Sequence, residues 1–139
     1  MLLDTNVVSE AMKAQPHAAV AGFLARQHLA ALFIPSLVVA ELRYGVARLP
    51  HGQRQRRLET ALEDFLQQGF DNRVLAFDAA CAASYAIVRT VRETAGRPVA
   101  VQDALIGAMA LTHGATLVTR NTGDFDGYGL TLIDPWEAR

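Results

Sequence analysis

Short apolar runs alternate along this chain with longer stretches in which apolar residues recur every three or four positions, the periods of buried strands and of amphipathic helices. Leu2-Leu3, closed by Asp4, is expected as a buried first strand, with Thr5 and Asn6 as N-cap residues of a short helix. A helix is expected from Pro16 to about Gln27, with Val20, Phe23 and Leu24 on one side, before a second strand at Leu32-Phe33-Ile34 that Pro35 stops. Ser36 is expected to cap a helix to about Leu49, whose apolar set Val38, Val39, Leu42, Val46 and Leu49 keeps the 3.6 period. Pro50-His51-Gly52 breaks that helix, and residues 53–68 read as a further one with Leu58, Leu62, Phe65 and Leu66 on one face. A third strand is expected at Arg73 to Phe77, then a helix capped by Asp78 that runs through Val91 and ends near Gly96 and Pro98. The last helix runs from about Val101 to His113, where Gly114 stops it, and strands follow at Ala115 to Thr119 and Leu130 to Ile133.

Short uninterrupted apolar strands separated by helices predict an α/β fold: a parallel sheet of about five strands flanked by helices on both faces. At 139 residues the chain is expected to be one domain, residues 1–139. In open sheets of this kind ligands bind beyond the carboxyl ends of the strands. That is where candidate chemistry belongs.

Composition narrows the classes. Apolar residues make up 51% and mean hydropathy is +0.15, enough to fill a core and too much for a disordered chain. A net charge of −1 gives no global basic field, which leaves only a local patch for nucleic acid. The single cysteine, Cys81, makes neither an internal disulfide nor a thiolate metal site. No charged leader with an apolar core and no apolar run of membrane-spanning length is visible, so a cytoplasmic protein is expected. Lys13 is the one lysine, so lysine-based catalysis has a single candidate.

The carboxylates carry the chemistry. Asp4 ends the first strand and points at the crevice. Glu41 has Leu37, Val38, Tyr44 and Gly45 as its helical neighbours, an apolar setting for a charge. Asp103 lies in the first turn of its helix above Ile106 and Gly107, and Asp124 follows the fourth strand. Each also has a plainer reading, as a turn residue, a cap or a partner of the helix dipole. Buried carboxylates without partners are costly. Arg43 and Arg120 are nearby in sequence and could offset that cost; a shared divalent cation is the other solution. An all-carboxylate set favours a hard ion, Mg²⁺ or Mn²⁺. His17, His28, His51 and His113 fall in no ligand spacing.

Four segments then join up: Leu2-Leu3-Asp4-Thr5-Asn6, Val39-Ala40-Glu41-Leu42-Arg43-Tyr44-Gly45, Gln102-Asp103-Ala104-Leu105-Ile106-Gly107-Ala108, and Leu117-Val118-Thr119-Arg120-Asn121 with Asp124-Phe125. In this order and spacing the chain resembles the PIN-domain toxins of VapC type, in the FitB-like branch, over essentially its whole length. The resemblance implies the toxin of a type II toxin–antitoxin system: a Mg²⁺- or Mn²⁺-dependent endoribonuclease that leaves 5′-phosphate and 3′-hydroxyl ends. Asp4, Glu41 and Asp103 match the family's acidic positions. Asp4 and Asp103 are expected to hold the ion, and Glu41 to help hold it or to accept a proton from the attacking water. Relatives often place an Asp where this chain has Asn121, so either Asn121 or Asp124 fills the fourth position. Thr5, Asn6 and Thr119 match supporting polar positions.

The expected partners are RNA, a DNA-binding VapB-type antitoxin and a second copy of the chain, as a homodimer or a heterotetramer or larger assembly with antitoxin. The family's antitoxins bury an apolar segment in the place that here corresponds to the groove between helix 16–27 and the helices spanning 36–68, which makes Val20, Phe23 and Leu24 candidate anchors. Arg54, Arg56 and Arg57 belong to an acid-free basic stretch and are candidate contacts to RNA phosphates; Glu59, Glu63 and Asp64 could instead make the stretch a solvated helix face. The alternative to an enzyme is a catalytically weak PIN-fold partner that acts with the antitoxin in operator binding and autoregulation.

Overall fold

In the computed structural model, which describes residues 1–138, β1 (Leu2–Leu3) pairs in parallel with β4 (Leu117–Val118), and β4 with β5 (Leu132–Ile133). Arg139, the last residue of the expected domain, lies outside the described residues. A second parallel pair joins β2 (Ile34–Pro35) to β3 (Val74–Leu75). The two ladders meet at a parallel bridge between Leu2 and Phe33: the Leu3 amide donates to the Phe33 carbonyl at 3.0 Å, and the Phe33 amide donates to the Met1 carbonyl at 2.9 Å. The order across the molecule is therefore β3-β2-β1-β4-β5. All five expected strands are present and parallel, divided into a three-stranded and a two-stranded sheet. Every strand is two residues long, shorter than its apolar run suggests, because pairing stops where the chain turns into the next helix, as at Asp4 and Ser36.

Six helices connect the strands: α1 (Thr5–Ala11), α2 (Ala18–Ala25), α3 (Ser36–Ala47), α4 (Gln53–Asp64), α5 (Ala79–Thr94) and α6 (Val101–His113). Right-handed crossovers in this strand order put α1 to α4 over one face and α5 and α6 over the other. The packing agrees: α1 lies against α2 and α3, α3 against α4, and α5 runs along α6. None of the helices is long and apolar enough to cross a membrane.

The boundaries differ from the sequence expectation where side chains compete for the cap. Asp4, not Thr5 or Asn6, caps α1, its Oδ1 accepting from the Thr5 amide at 2.8 Å. Pro35 holds the cap position of α3 and Ser36 is the first helical residue. The amphipathic run after Gln53 widens into a π-type turn over Phe65–Gly69. Asp78 caps α5 as expected, accepting from the Cys81 amide at 3.1 Å.

One core spans the sheet and both helical layers, with Leu2, Leu3, Ile34, Leu62, Ile106, Met109, Leu117 and Phe125 fully or almost fully buried. Val20 and Phe23 belong to it. This corrects their reading as docking anchors: they are buried in the protein's own core, where α2 lies against α1, and are not free for a partner, and Leu24 is partly buried beside them. Val88, Ala104 and Ala108 form a smaller cluster between α5 and α6. Gly107 matters there because a Cβ on it would sit 2.1 Å from the Tyr128 hydroxyl. The tyrosine lies directly on the α6 backbone, and burial pushes its phenol up to about 12.

Candidate active site

With β1 central and β4 on its far side from β2, the chain reverses its direction of travel across the sheet between β1 and β4. The crevice outside the carboxyl ends of such a strand pair is the usual ligand site of an open α/β sheet. Asp4 follows β1 there and Thr119 follows β4. The Asp4 amide donates to the Val118 carbonyl at 3.0 Å, which fixes the two strand ends side by side.

Asp4 is almost fully buried, and each carboxylate oxygen is held: Oδ1 by the Thr5 amide and Oδ2 by the Thr119 hydroxyl at 2.8 Å. The Asn121 amide donates to the Thr119 hydroxyl at 3.1 Å, so Asn121, Thr119 and Asp4 form one chain of hydrogen bonds. Thr5 works in two directions. Its amide holds Asp4 and its hydroxyl donates to Glu41 Oε2 on α3. Asp103 faces the same space from the first turn of α6. A cavity of about 160 Å³ is lined by Asp4, Thr5, Asn6, Glu41, Gln102, Asp103, Ile106 and Asn121. Residues from four separate segments, distant along the chain, thus converge on one polar hollow.

Burial pushes the Asp103 carboxyl up to about 6, and the charges of Asp4, Asp124 and Glu41 add to the rise. Asp4 is also held above the ordinary carboxylate range by burial, against the lowering effect of its Thr119 and Thr5 hydrogen bonds and with repulsion from Glu41 and Asp124 adding to it. The expected arginine partners are elsewhere: Arg43 pairs with Glu63 on α4, and Arg120 stacks over the Trp136 ring at 4.9 Å. Among the described residues no Lys or Arg forms an ion pair with Asp4, Glu41, Asp103 or Asp124.

The donor set suits a hard divalent cation, being made of carboxylate, hydroxyl and amide oxygens. Among the described residues no three His, Cys, Asp or Glu side chains are gathered into a ready-made cage. An ion of Mg²⁺ type needs none, since it takes one or two carboxylates and keeps several waters.

Two expectations are adjusted by the geometry. Glu41 is only partly buried, because Tyr44 is 66% exposed and Gly45 is exposed; the apolar flank read from the sequence is open on that side. Asp124 is exposed in a short turn, Thr122–Asp124, outside the cavity lining, while Asn121 lies within it. Asp124 contributes its charge to Asp4 and Asp103 from that distance. Arg54, Arg56 and Arg57 are exposed on the first turns of α4, and none lines the cavity. Two wider hollows, about 430 Å³ between α3 and α4 and about 460 Å³ at the amino ends of the strands, contain none of the site acids.

Gln102 lines the cavity although the sequence reading does not single it out; its place beside Asp103 is the available signal. Arg92 escapes that reading as well. It is 5% exposed and falls on the same α5 face as Cys81 and Val88, so an arginine at a core position of the helical period is the sign.

The PIN domain family matches residues 1–129. The chain is 45% identical over 138 residues to the plasmid stability protein StbB of Pseudomonas syringae pv. tomato, covering 99% of both chains. It is 38% identical over 137 residues to the VapC ribonuclease Y4jK of Sinorhizobium fredii, covering 99% of this chain and 98% of that one. A chain in the structure of FitAB bound to an IR36 DNA fragment superposes with a TM-score of 0.91 at 36% identity, covering 99% of this chain and 96% of that one. Fold, strand-end crevice and sequence agree: the chain belongs to the PIN-domain family, within its VapC and FitB group.

Proposed function

We propose that this chain is the toxin of a type II toxin–antitoxin pair and acts as a metal-dependent endoribonuclease, the activity named for relatives such as Y4jK. The observation that carries the reading is the convergence of Asp4, Glu41 and Asp103 on one polar cavity at the strand ends, without a cationic side chain paired to them among the described residues. A single PIN domain over residues 1–139 suffices for it.

Asp4 and Asp103 would hold the ion, Mg²⁺ or Mn²⁺, which when bound supplies Lewis acidity toward the phosphate and the attacking water. Thr119 and the Thr5 amide keep the Asp4 carboxylate in one orientation, so that little reorganisation is needed on binding. Glu41, steered by the Thr5 hydroxyl and open to solvent on its Tyr44 side, is placed to take a proton from the attacking water. Asn6, Gln102 and Asn121 line the approach and offer amide groups to phosphate oxygens. Asn121 takes the fourth position, with Asp124 contributing charge from outside. The proposed site of action is the cytoplasm, where RNA substrate is present. The direct test is RNA cleavage by purified protein, with and without divalent metal; no cleavage in any metal overturns the reading.

Arg54, Arg56 and Arg57 are proposed to meet RNA phosphates. In an inactive Asp103→Asn background, replacing all three with Gln is expected to flatten the salt dependence of single-stranded RNA binding by about 0.7 for each phosphate no longer neutralised. An unchanged slope makes the stretch a solvated face.

A cognate antitoxin of VapB type is proposed to inhibit by placing an arginine among the acids, because a guanidinium matches carboxylates bidentately and relieves their repulsion. Asp4→Asn combined with Asp103→Asn is then expected to weaken the antitoxin complex by about 2 kcal/mol or more, roughly 30-fold. Titration of co-expressed antitoxin against wild type and double variant reads this, and equal affinities exclude inhibition through the carboxylates. The toxin is expected to dimerise, with two antitoxins completing a heterotetramer. Operator binding as part of such a complex is the second reading, favoured by the DNA-bound state of the similar FitAB assembly.

A further inference from the structure

The segment between β4 and β5 carries both candidates for the fourth position, Asn121 and Asp124, yet it contains no long regular element that would hold it in place. It is tied down from α5. Arg92 Nη1 donates to the Gly123 carbonyl at 3.1 Å, the Asp126 carbonyl at 3.1 Å and Asp126 Oδ1 at 2.8 Å. The end of α5 brings a second arginine to the same place. Gly96, at φ +72°, lets the Arg97 amide bond back to the Arg92 carbonyl at 2.9 Å and its own amide bond to Glu93 at 3.0 Å, the Schellman pattern. Arg97 then reaches Asp126 Oδ1 at 3.0 Å and the Gly123 carbonyl at 3.3 Å. Beyond the clamp, Tyr128 lies on Gly107, one turn along α6 from Asp103.

A buried guanidinium is an expensive way to fill a core position. Packing against Val88 needs only an aliphatic side chain at 92. What an arginine adds is reach and a permanent charge: its Nη1 alone meets three loop acceptors, while its Nε is buried without a partner. The loop begins at Asn121, whose amide feeds the Thr119 hydroxyl and through it Asp4, so its position and the orientation of Asp4 are mechanically joined.

We propose that Arg92 is a positioning residue that holds the 121–126 loop against the acidic site, so that Asn121 lines the cavity and Asp124 stays within electrostatic reach of Asp4 and Asp103. This rests on the nuclease reading for its kinetic consequence and on hydrogen bonds alone for the loop itself. Lysine at 92 keeps the charge, but its ammonium ends one bond short of the Nη1 position and so loses contacts to the loop acceptors. Arg92→Lys is expected to lower kcat for RNA cleavage roughly ten- to a hundredfold, the scale of a small misplacement of reacting groups, with KM for RNA little changed. Asp126→Asn, which weakens the clamp from its solvent side, is expected to lower kcat in the same direction by less. Val88→Ala, which removes packing between α5 and α6 and leaves the clamp's hydrogen bonds in place, is expected to lower the melting temperature and leave kcat unchanged.

Loop release has a readout independent of activity: tryptic cleavage of the native protein after the exposed Arg120, located by mass spectrometry, is expected to speed up in Arg92→Lys and Asp126→Asn and not in Val88→Ala. If Arg92→Lys does not fold, Asp126→Asn decides alone. Wild-type kcat together with wild-type cleavage after Arg120 in the folded clamp variants overturns the proposal. Wild-type protein that cleaves no RNA in any metal overturns the nuclease reading instead, and the tryptic readout then decides whether Arg92 holds the loop.

Discussion

Asp103→Asn is expected to abolish RNA cleavage and the growth arrest caused by induction, in a protein that keeps its secondary structure and cooperative melting. Asn has the shape of Asp but carries no charge, and Asp103 sits on the first turn of α6 with its carboxyl facing the cavity rather than the core. The change therefore removes a cation ligand and little packing. Positioned metal chemistry supplies several kcal/mol of transition-state stabilisation, and a loss of about 4 kcal/mol is about a thousandfold in rate. Asp4→Asn is expected to be as severe, with an added structural cost because the Asp4 carboxylate also caps α1 and accepts from Thr119. Single-turnover cleavage in Mg²⁺ and Mn²⁺, with circular dichroism on the same samples, reads both. Full activity in a folded Asp103→Asn protein removes Asp103 from the site.

The same substitution is expected to leave the metal-free protein as stable as the wild type, or more so. Asp103 is held up to about 6 against an ordinary 3.8, with burial as the first cause and the charges of Asp4, Asp124 and Glu41 behind it. Between those values the folded state binds more protons than the unfolded chain, so stability declines as pH rises through the window. Wild type in EDTA is therefore expected to lose melting temperature from about pH 4 to about pH 6 and to level off above. Asp103→Asn is expected to flatten that decline, and Asp4, shifted in the same direction, accounts for what remains. A divalent ion reverses the effect. Binding only the folded state, at ten times its dissociation constant it adds about 1.4 kcal/mol, roughly 4 °C for a chain of this size. The gain grows as pH passes 6, because the ion competes with the proton for the same oxygens. A wild-type curve indifferent to metal, with Asp103→Asn less stable in EDTA, would assign Asp103 to folding alone.

How far a residue's role is legible in the sequence follows the range of the interactions behind it. The α6 helix and its Gly114 stop are legible, since periodicity and a left-handed glycine are local properties. Asp4 presents two local readings, cap or site residue, and the fold uses both: one oxygen caps α1 while the other meets Thr119 from the far side of the sheet. Val20 and Phe23 mislead because a helix's apolar side shows that something is buried, not what covers it; here the protein's own core does. Glu41 has apolar neighbours along its helix, but Tyr44 and Gly45 lie where α3 leaves the core.

The amino-acid order sets the alternation of short strands and helices, the helix stops, the amount of apolar material for one core and the identities of the acids, because each depends on side-chain chemistry within a few residues of its neighbours. The strand order β3-β2-β1-β4-β5 is a matter of long-range pairing, and from it comes the crevice where Asp4, Glu41 and Asp103 share one cavity. Their mutual repulsion, the seating of Asn121 rather than Asp124 in the lining, and the clamp from Arg92 to a loop more than thirty residues away exist only once that pairing has formed. Coulomb energy and hydrogen bonds depend on distance in space, and distance along the chain does not report it.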